Sequence, residues 1–230
     1  MNKFVQHKIF NETYRIGEDG IPEFKTYIAG EWVFGEGFSE IRSPTDSRVI
    51  ARVSKLRKDQ VEEVIKKVYE MGREEIMNYP GEKRVESFLK AAQLMREAFD
   101  DFVRTLVLDA GKPLSNARGE VTATIERLEK TTMESRRLIG DYIPGDWSEE
   151  TLESEGIVKR EPYGVILAIS PFNYPLFISA TKVIPAILSG NAVILESASA
   201  DPLAAILFIG VGRLSKGKLC PTGYSWKINE

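Results

Sequence analysis

Gly164-Val165-Ile166-Leu167-Ala168-Ile169-Ser170-Pro171-Phe172-Asn173-Tyr174-Pro175, continued by an apolar run to Leu188 and by Gly190-Asn191-Ala192-Val193-Ile194-Leu195, decides the fold. Val165 to Ile169 is a short β-prone block, Pro171 to Pro175 is a loop, Leu176 to Leu188 has helical spacing, and Ala192 to Leu195 is a second buried strand. That is a β-α-β unit. A connection of roughly twenty residues predicts parallel strands joined by a right-handed crossover. Asp201-Pro202 then opens another helix, with Asp as N-cap and Pro at the first helical position. From Arg213 to Glu230 the periodicity is lost, and an irregular tail is expected.

The segment from Tyr163 to Leu195 has Lys182 as its sole charge, but Pro171, Asn173, Pro175, Pro185 and Gly190 divide it into blocks too short to cross a bilayer. Buried strands and a buried helix are expected instead.

Upstream, residues 1–55 read as a β-rich lead-in, with strands near Lys25 to Ile28, Glu31 to Phe34 and Arg48 to Val53. Ala29-Gly30 and Ser43-Pro44-Thr45-Asp46 supply turns. Residues 56–140 are helical. Val61, Val64, Ile65, Val68 and Met71 mark a first amphipathic helix of about four turns; Val85, Phe88, Leu89, Ala92, Met95 and Phe99 mark a second. Phe102, Leu106 and Val107 continue the second after a bend, until Gly111-Lys112-Pro113 stops it. A third run from Ser115 to about Ile139 carries Val121, Ile125, Leu128, Met133 and Leu138 on one side. Residues 141–163 form a strand-rich bridge with a strand at Ile157 to Glu161, residues 164–212 the first part of a dinucleotide-type fold, and residues 213–230 the tail. The fold class is therefore α/β: an incomplete Rossmann-like parallel sheet preceded by a β-rich lead-in and long helices.

Composition narrows the function. With 31 basic and 34 acidic residues the charges balance, which argues against a nucleic-acid or anionic-membrane partner. The single Cys220 and single His7 give poor support to a disulfide, a Cys/His metal site or a Ser-His-Asp triad. The first ten residues lack an apolar signal core, so a cytoplasmic protein is expected.

Parallel sheets place ligands beyond the carboxyl ends of their strands, so the loop after Ile169 and the residues after Leu195 are expected to share one rim. In that loop Asn173 is able to donate its amide hydrogens to a developing oxyanion; the local sequence alone favours instead a residue that caps the next helix or holds the Pro-flanked turn. Lys112 reads as a surface turn residue, and Glu196 as a solvated strand end.

Taken in order, Tyr27-Ile28-Ala29-Gly30-Glu31-Trp32, Asp109-Ala110-Gly111-Lys112-Pro113, the Gly164–Pro175 stretch and Gly190–Leu195 resemble the N-terminal part of the aldehyde dehydrogenase superfamily. Gly140-Asp141-Tyr142-Ile143-Pro144-Gly145-Asp146-Trp147 looks most like the archaeal non-phosphorylating glyceraldehyde-3-phosphate dehydrogenases. The resemblance implies thiolate attack on an aldehyde, hydride transfer to NAD or NADP, and thioester hydrolysis to a carboxylic acid. It assigns Asn173 to oxyanion stabilisation, Tyr174 to substrate contact, and Ile169, Ser170 and Phe172 to the dinucleotide site. Glu196 stands where the family usually has a ribose-binding Lys, and Ser199 where NAD-preferring members often carry Glu. The family's Gly-rich turn, general-base Glu and nucleophilic Cys have no match. Cys220, in Lys218-Leu219-Cys220-Pro221-Thr222-Gly223, lies in a different context from the family nucleophile. The resemblance implies a truncated chain inactive by itself, or a remnant that binds nucleotide, self-associates or joins a full-length relative.

Overall fold

The computed structural model describes residues 5–138 and 140–215. Cys220 and most of the expected tail lie outside them. In chain order the elements are β1 (Tyr14–Ile16), β2 (Pro22–Phe24), β3 (Thr26–Ile28), β4 (Glu31–Val33), β5 (Gly37–Arg42), β6 (Val49–Lys55), α1 (Lys58–Lys67), α2 (Arg73–Met77), α3 (Gly81–Glu97), α4 (Phe99–Asp109), α5 (Leu114–Met133), β7 (Asp141–Pro144), β8 (Glu155–Val158), β9 (Val165–Ile169), α6 (Pro175–Leu188), β10 (Ala192–Glu196) and α7 (Leu203–Ser215).

The N-terminal sheet runs β1-β2-β6-β5, with β2 and β6 parallel and the other pairs antiparallel. Beside it, β3 and β4 form a hairpin across Ala29-Gly30, both at positive φ (46° and 97°), which suits a tight two-residue turn. The lone histidine is structural: His7 Nδ1 accepts from the Ile9 amide (3.3 Å) at the start of a short 3-10 turn, Lys8–Phe10. Asp101 on α4 accepts from the amides of Gln6 and His7, tying the N-terminal segment to the helices.

The helical layer departs from the simple period in two places. Between α1 and α2 the segment Val68–Gly72 is a π turn, in which Arg73 N donates to Val68 O. Its extra residue rotates the succeeding turn, so Gly72 is buried while Met71 is exposed; Ile65 also faces solvent. Farther on, Val121, Ile125 and Leu128 of α5 are buried as expected, but Met133 and Leu138 are exposed. There the helix gives way to a 3-10 turn, Glu134–Leu138, leading to the solvent-facing hairpin β7–β8. Leu89 of α3 is likewise exposed, and Ala91 and Leu94 are buried in its stead. The strand expected at Ile157 to Glu161 falls at Glu155–Val158, pairing with β7.

β9 and β10 are parallel and in register from Val165 opposite Ala192 to Ile169 opposite Glu196. Asn191 is buried where α6 turns into β10: its Oδ1 accepts from Gly164 N (2.9 Å) and its amide donates to Ala186 O (3.2 Å). α7 starts at Leu203, one residue after the expected Pro202, and continues through Arg213 to Ser215, so its regular structure outlasts the expected onset of the tail. The Arg213 guanidinium pairs with Glu12, a partner supplied by the N-terminal segment that periodicity along the chain does not reveal. One hydrophobic core joins the sheet, α3 to α7 and the β9–β10 pair, with Phe10 packed edge-on against Phe102 at 5.8 Å between ring centroids. Among the described residues no helix is long and apolar enough to cross a membrane.

Candidate functional site

The register places both strand ends on one rim. Ser170 N donates to Glu196 O (2.8 Å), which joins the start of the Pro171–Tyr174 loop to the end of β10. Ser170 is buried, with its Oγ 3.4 Å from Pro175 O; Ile169, Phe172, Asn173, Tyr174, Glu196 and Ser199 are exposed. Phe172 and Asn173 open onto a cleft of about 490 Å³ shared with Arg42, Pro44, the Asp109–Pro113 turn, Ala200 and Asp201. Of the residues matched to the dinucleotide, Phe172 shares that cleft with Asn173, whereas Ile169, Ser170, Glu196 and Ser199 do not line it.

Asn173 makes no hydrogen bond among the described residues, and the N-cap of α6 is Tyr174, whose side chain does not cap. The capping alternative for Asn173 therefore does not hold, and its amide is available to a ligand. The cap comes from Glu120 on α5: its Oε1 accepts from Leu176 N and Phe177 N, both at 3.0 Å. These are the N–H groups that a first helical turn leaves without intrahelical partners, and a carboxylate there also meets the positive end of the helix dipole.

Lys112 is not a surface turn residue. Its side chain is 11% exposed, its Nζ is paired with Glu120 Oε2, and it lies 3.7 Å from the centroid of the Tyr174 ring. A buried ammonium needs a counter-charge, and Glu120 supplies it while the aromatic face adds a cation–π contact. The turn is held open to this arrangement by Gly111 at φ +63°, where a Cβ would come within 2.6 Å of Pro44 Cγ.

Two further carboxylates line the same cleft. Asp109 Oδ2 accepts from Leu203 N (2.7 Å), so α7 is capped from α4 and not, as its own sequence suggests, by Asp201. The remaining oxygen of Asp109 and Oδ1 of Asp201 are buried without a hydrogen-bond partner among the described residues. Burial pushes the Asp109 carboxyl well above its ordinary range; the Leu203 amide opposes the rise and the neighbouring Asp201 adds to it. Burial, followed by repulsion from Glu120, pushes Asp201 up to about 7, with Lys112 acting in the opposite direction.

Sequence reasoning did not find Glu120. A signal was present, since Glu120 falls on the α5 face that buries Ala117, Val121, Thr124 and Leu128, where an acid requires partners.

A parallel β-α-β unit with a side-chain amide unengaged among the described residues at the carboxyl end of its first strand, preceded by a helical layer, is the arrangement of a Rossmann-like α/β protein, and the aldehyde dehydrogenase family is one such class. The chain belongs to that family, whose profile matches residues 32–213. Among particular proteins, the lactaldehyde dehydrogenase of Methanococcus maripaludis is 32% identical over 183 residues, 78% of this chain and 37% of that enzyme. The chain thus spans under half the length of the curated relatives it matches. A solved NADP-dependent glyceraldehyde-3-phosphate dehydrogenase from Bacillus halodurans, complexed with NADP, superposes with a TM-score of 0.83 at 26% identity, covering 89% of this chain and 43% of that one. The glyceraldehyde-3-phosphate dehydrogenase of Methanocaldococcus jannaschii, also complexed with NADP, gives 0.75 at 26% identity, covering 83% and 41%.

Proposed function

We propose that the chain supplies the oxyanion donor and the first dinucleotide-binding strands of an NAD(P)-dependent aldehyde dehydrogenase that converts an aldehyde, with glyceraldehyde 3-phosphate the first candidate, to a carboxylic acid. The observation that carries this is Asn173: a side-chain amide with no partner among the described residues, just beyond the end of β9 and facing a cleft, where a developing oxyanion would be met by a preplaced donor. Tyr174 stands next to it to contact substrate, and Ile169, Ser170 and Phe172 form the wall on which the nicotinamide dinucleotide would lie. When bound, that cofactor supplies the hydride acceptor.

Glu196 bears on the choice of dinucleotide. Its carboxylate is exposed at the rim and has no ion pair among the described residues, so it suits the hydroxyls of an adenosine ribose and repels a 2′-phosphate. Glu196 taken alone favours NAD, whereas the two solved glyceraldehyde-3-phosphate enzymes hold NADP. Ser199, exposed nearby where NAD-preferring members often carry Glu, by itself permits NADP and pulls in the opposite direction to Glu196.

No residue of the 230 matches the family's nucleophilic Cys or general-base Glu, so the thiolate and the base must come from outside these residues for turnover. Calorimetric titration with NAD and NADP, run beside a glyceraldehyde-3-phosphate turnover assay, tests the reading. Saturable NAD binding without turnover supports it. No binding of either dinucleotide refutes the cofactor assignment, and turnover by these residues alone refutes the account of the missing thiol.

A second reading, a noncatalytic partner that self-associates or joins a full-length relative, is favoured by exposed apolar side chains: Leu167 and Ile169 on β9, and Tyr142, Ile143 and Ile157 on the β7–β8 hairpin. A dilution-stable monomer in light scattering counts against it.

A further inference from the structure

We propose that Glu120 and Lys112 are positioning residues for the Asn173–Tyr174 loop, an inference that rests on the reading of Asn173 given above. Pro171 to Tyr174 has little of its own to fix it: Asn173 has no hydrogen bond among the described residues, and Tyr174 does not cap the helix that it starts. Its hold comes from α5 and the turn before it. Glu120, whose side chain is fully buried, grips Leu176 N and Phe177 N with one oxygen and Lys112 with the other. Lys112 in turn places its ammonium on the face of Tyr174. One carboxylate therefore fixes the backbone two residues beyond Tyr174 and, through the lysine, the ring of Tyr174 itself. Asn173, immediately before that ring, is set by the same pair. A charge-assisted clamp of this kind restricts the loop without using the amide that the oxyanion requires.

The two halves of the clamp separate by substitution. Glu120→Gln keeps an oxygen for the two amides but removes the ion pair; Glu120→Ala removes both; Lys112→Met removes the cation alone. In the full, isotope-labelled chain, the Asn173 side-chain amide and the Tyr174 ring are followed by NMR, together with solvent exchange at the Leu176 and Phe177 amides. Glu126→Gln, an exposed change on α5, serves as the control. Glu120→Gln and Lys112→Met are expected to shift the Asn173 and Tyr174 resonances, less than additively in the double variant, while Phe24 and Phe102 in the core stay in place. Glu120→Ala is expected to speed exchange at Leu176 and Phe177 by about tenfold or more, and Glu120→Gln to retain most of their protection. Folded variants with unmoved Asn173 and Tyr174 resonances overturn the proposal. If the Glu120 variants do not fold, Lys112→Met decides it, since both backbone caps remain. Absence of NAD binding in the unaltered chain counts against the aldehyde dehydrogenase reading only; the resonances still decide the positioning role.

Discussion

Asp201 permits a test in which pH itself is the perturbation. Its carboxyl rises from the ordinary 3.8 to about 7, chiefly through burial. At pH values below the ordinary carboxylate pKa it is protonated in both the folded and the unfolded chain. Between there and about pH 7 the folded chain holds the proton and the unfolded chain does not, so stability falls as pH rises and levels off above about pH 7. At about 1.4 kcal/mol per pH unit, the interval sets a ceiling of about 4 kcal/mol. Asp201 borders the cleft, and water there screens part of the cost, leaving about 2–3 kcal/mol. Asn has the shape of the protonated acid and does not titrate. Urea denaturation monitored by circular dichroism should therefore find Asp201→Asn close to the unaltered chain near about pH 4 and more stable by about 2–3 kcal/mol near about pH 8. The difference between the two chains isolates this group from carboxylates that titrate identically in both. A difference that does not change with pH would refute the reasoning, because it would mean that the buried carboxyl titrates alike in folded and unfolded chains.

Other contacts set further expected outcomes. Asp109→Ala removes the cap on Leu203 N and should lower stability by about 1–2 kcal/mol, with Asp109→Asn closer to the unaltered chain, as read by denaturant midpoint. Arg84 reaches Leu188 O (2.7 Å) and Tyr79 O (3.1 Å), tying the end of α6 to the start of α3, and Arg84→Met should cost about 1.5–3 kcal/mol in the same assay. Phe102→Ala, at the fully buried contact with Phe10, should cost about 3–5 kcal/mol and lower the melting temperature accordingly. Glu196→Lys replaces an exposed carboxylate on the rim with an ammonium and should turn dinucleotide preference toward NADP in calorimetry; unchanged selectivity would remove Glu196 from the cofactor site.

What is legible in the sequence is local. The β9-α6-β10 unit can be read because each strand is a continuous apolar block and the helix between them has a period of its own; the structure adds the register and corrects the expected burial, since Ala192 to Leu195 of β10 are buried but Leu167 and Ile169 of β9 are exposed. β1, β2 and β5 escape such a reading because they are set by pairing with distant strands: Pro22–Phe24 lies parallel to β6 and opposite β1, and its three residues carry no pattern alone. The π turn at Val68–Gly72 is invisible for a related reason. Periodicity assumes a constant rotation per residue, and one inserted residue changes which side chains face inward.

The site divides along the same line. Its rim is given by topology, since parallel strands end together, and Asn173, Phe172 and Glu196 lie on it. Its supports are not, because Glu120 meets the amide of Leu176 across 56 positions and Asp109 that of Leu203 across 94. Local reading assigns caps to the nearest polar residues, Asn173 and Asp201, and in both cases the cap comes from another helix. For Asn173 this substitution carries the functional argument. A side chain that capped α6 would point its oxygen at the helix and leave its amide fixed by that duty; with Glu120 in that role, the Asn173 side chain is left without a partner among the described residues at the cleft, which is what the proposed oxyanion role requires.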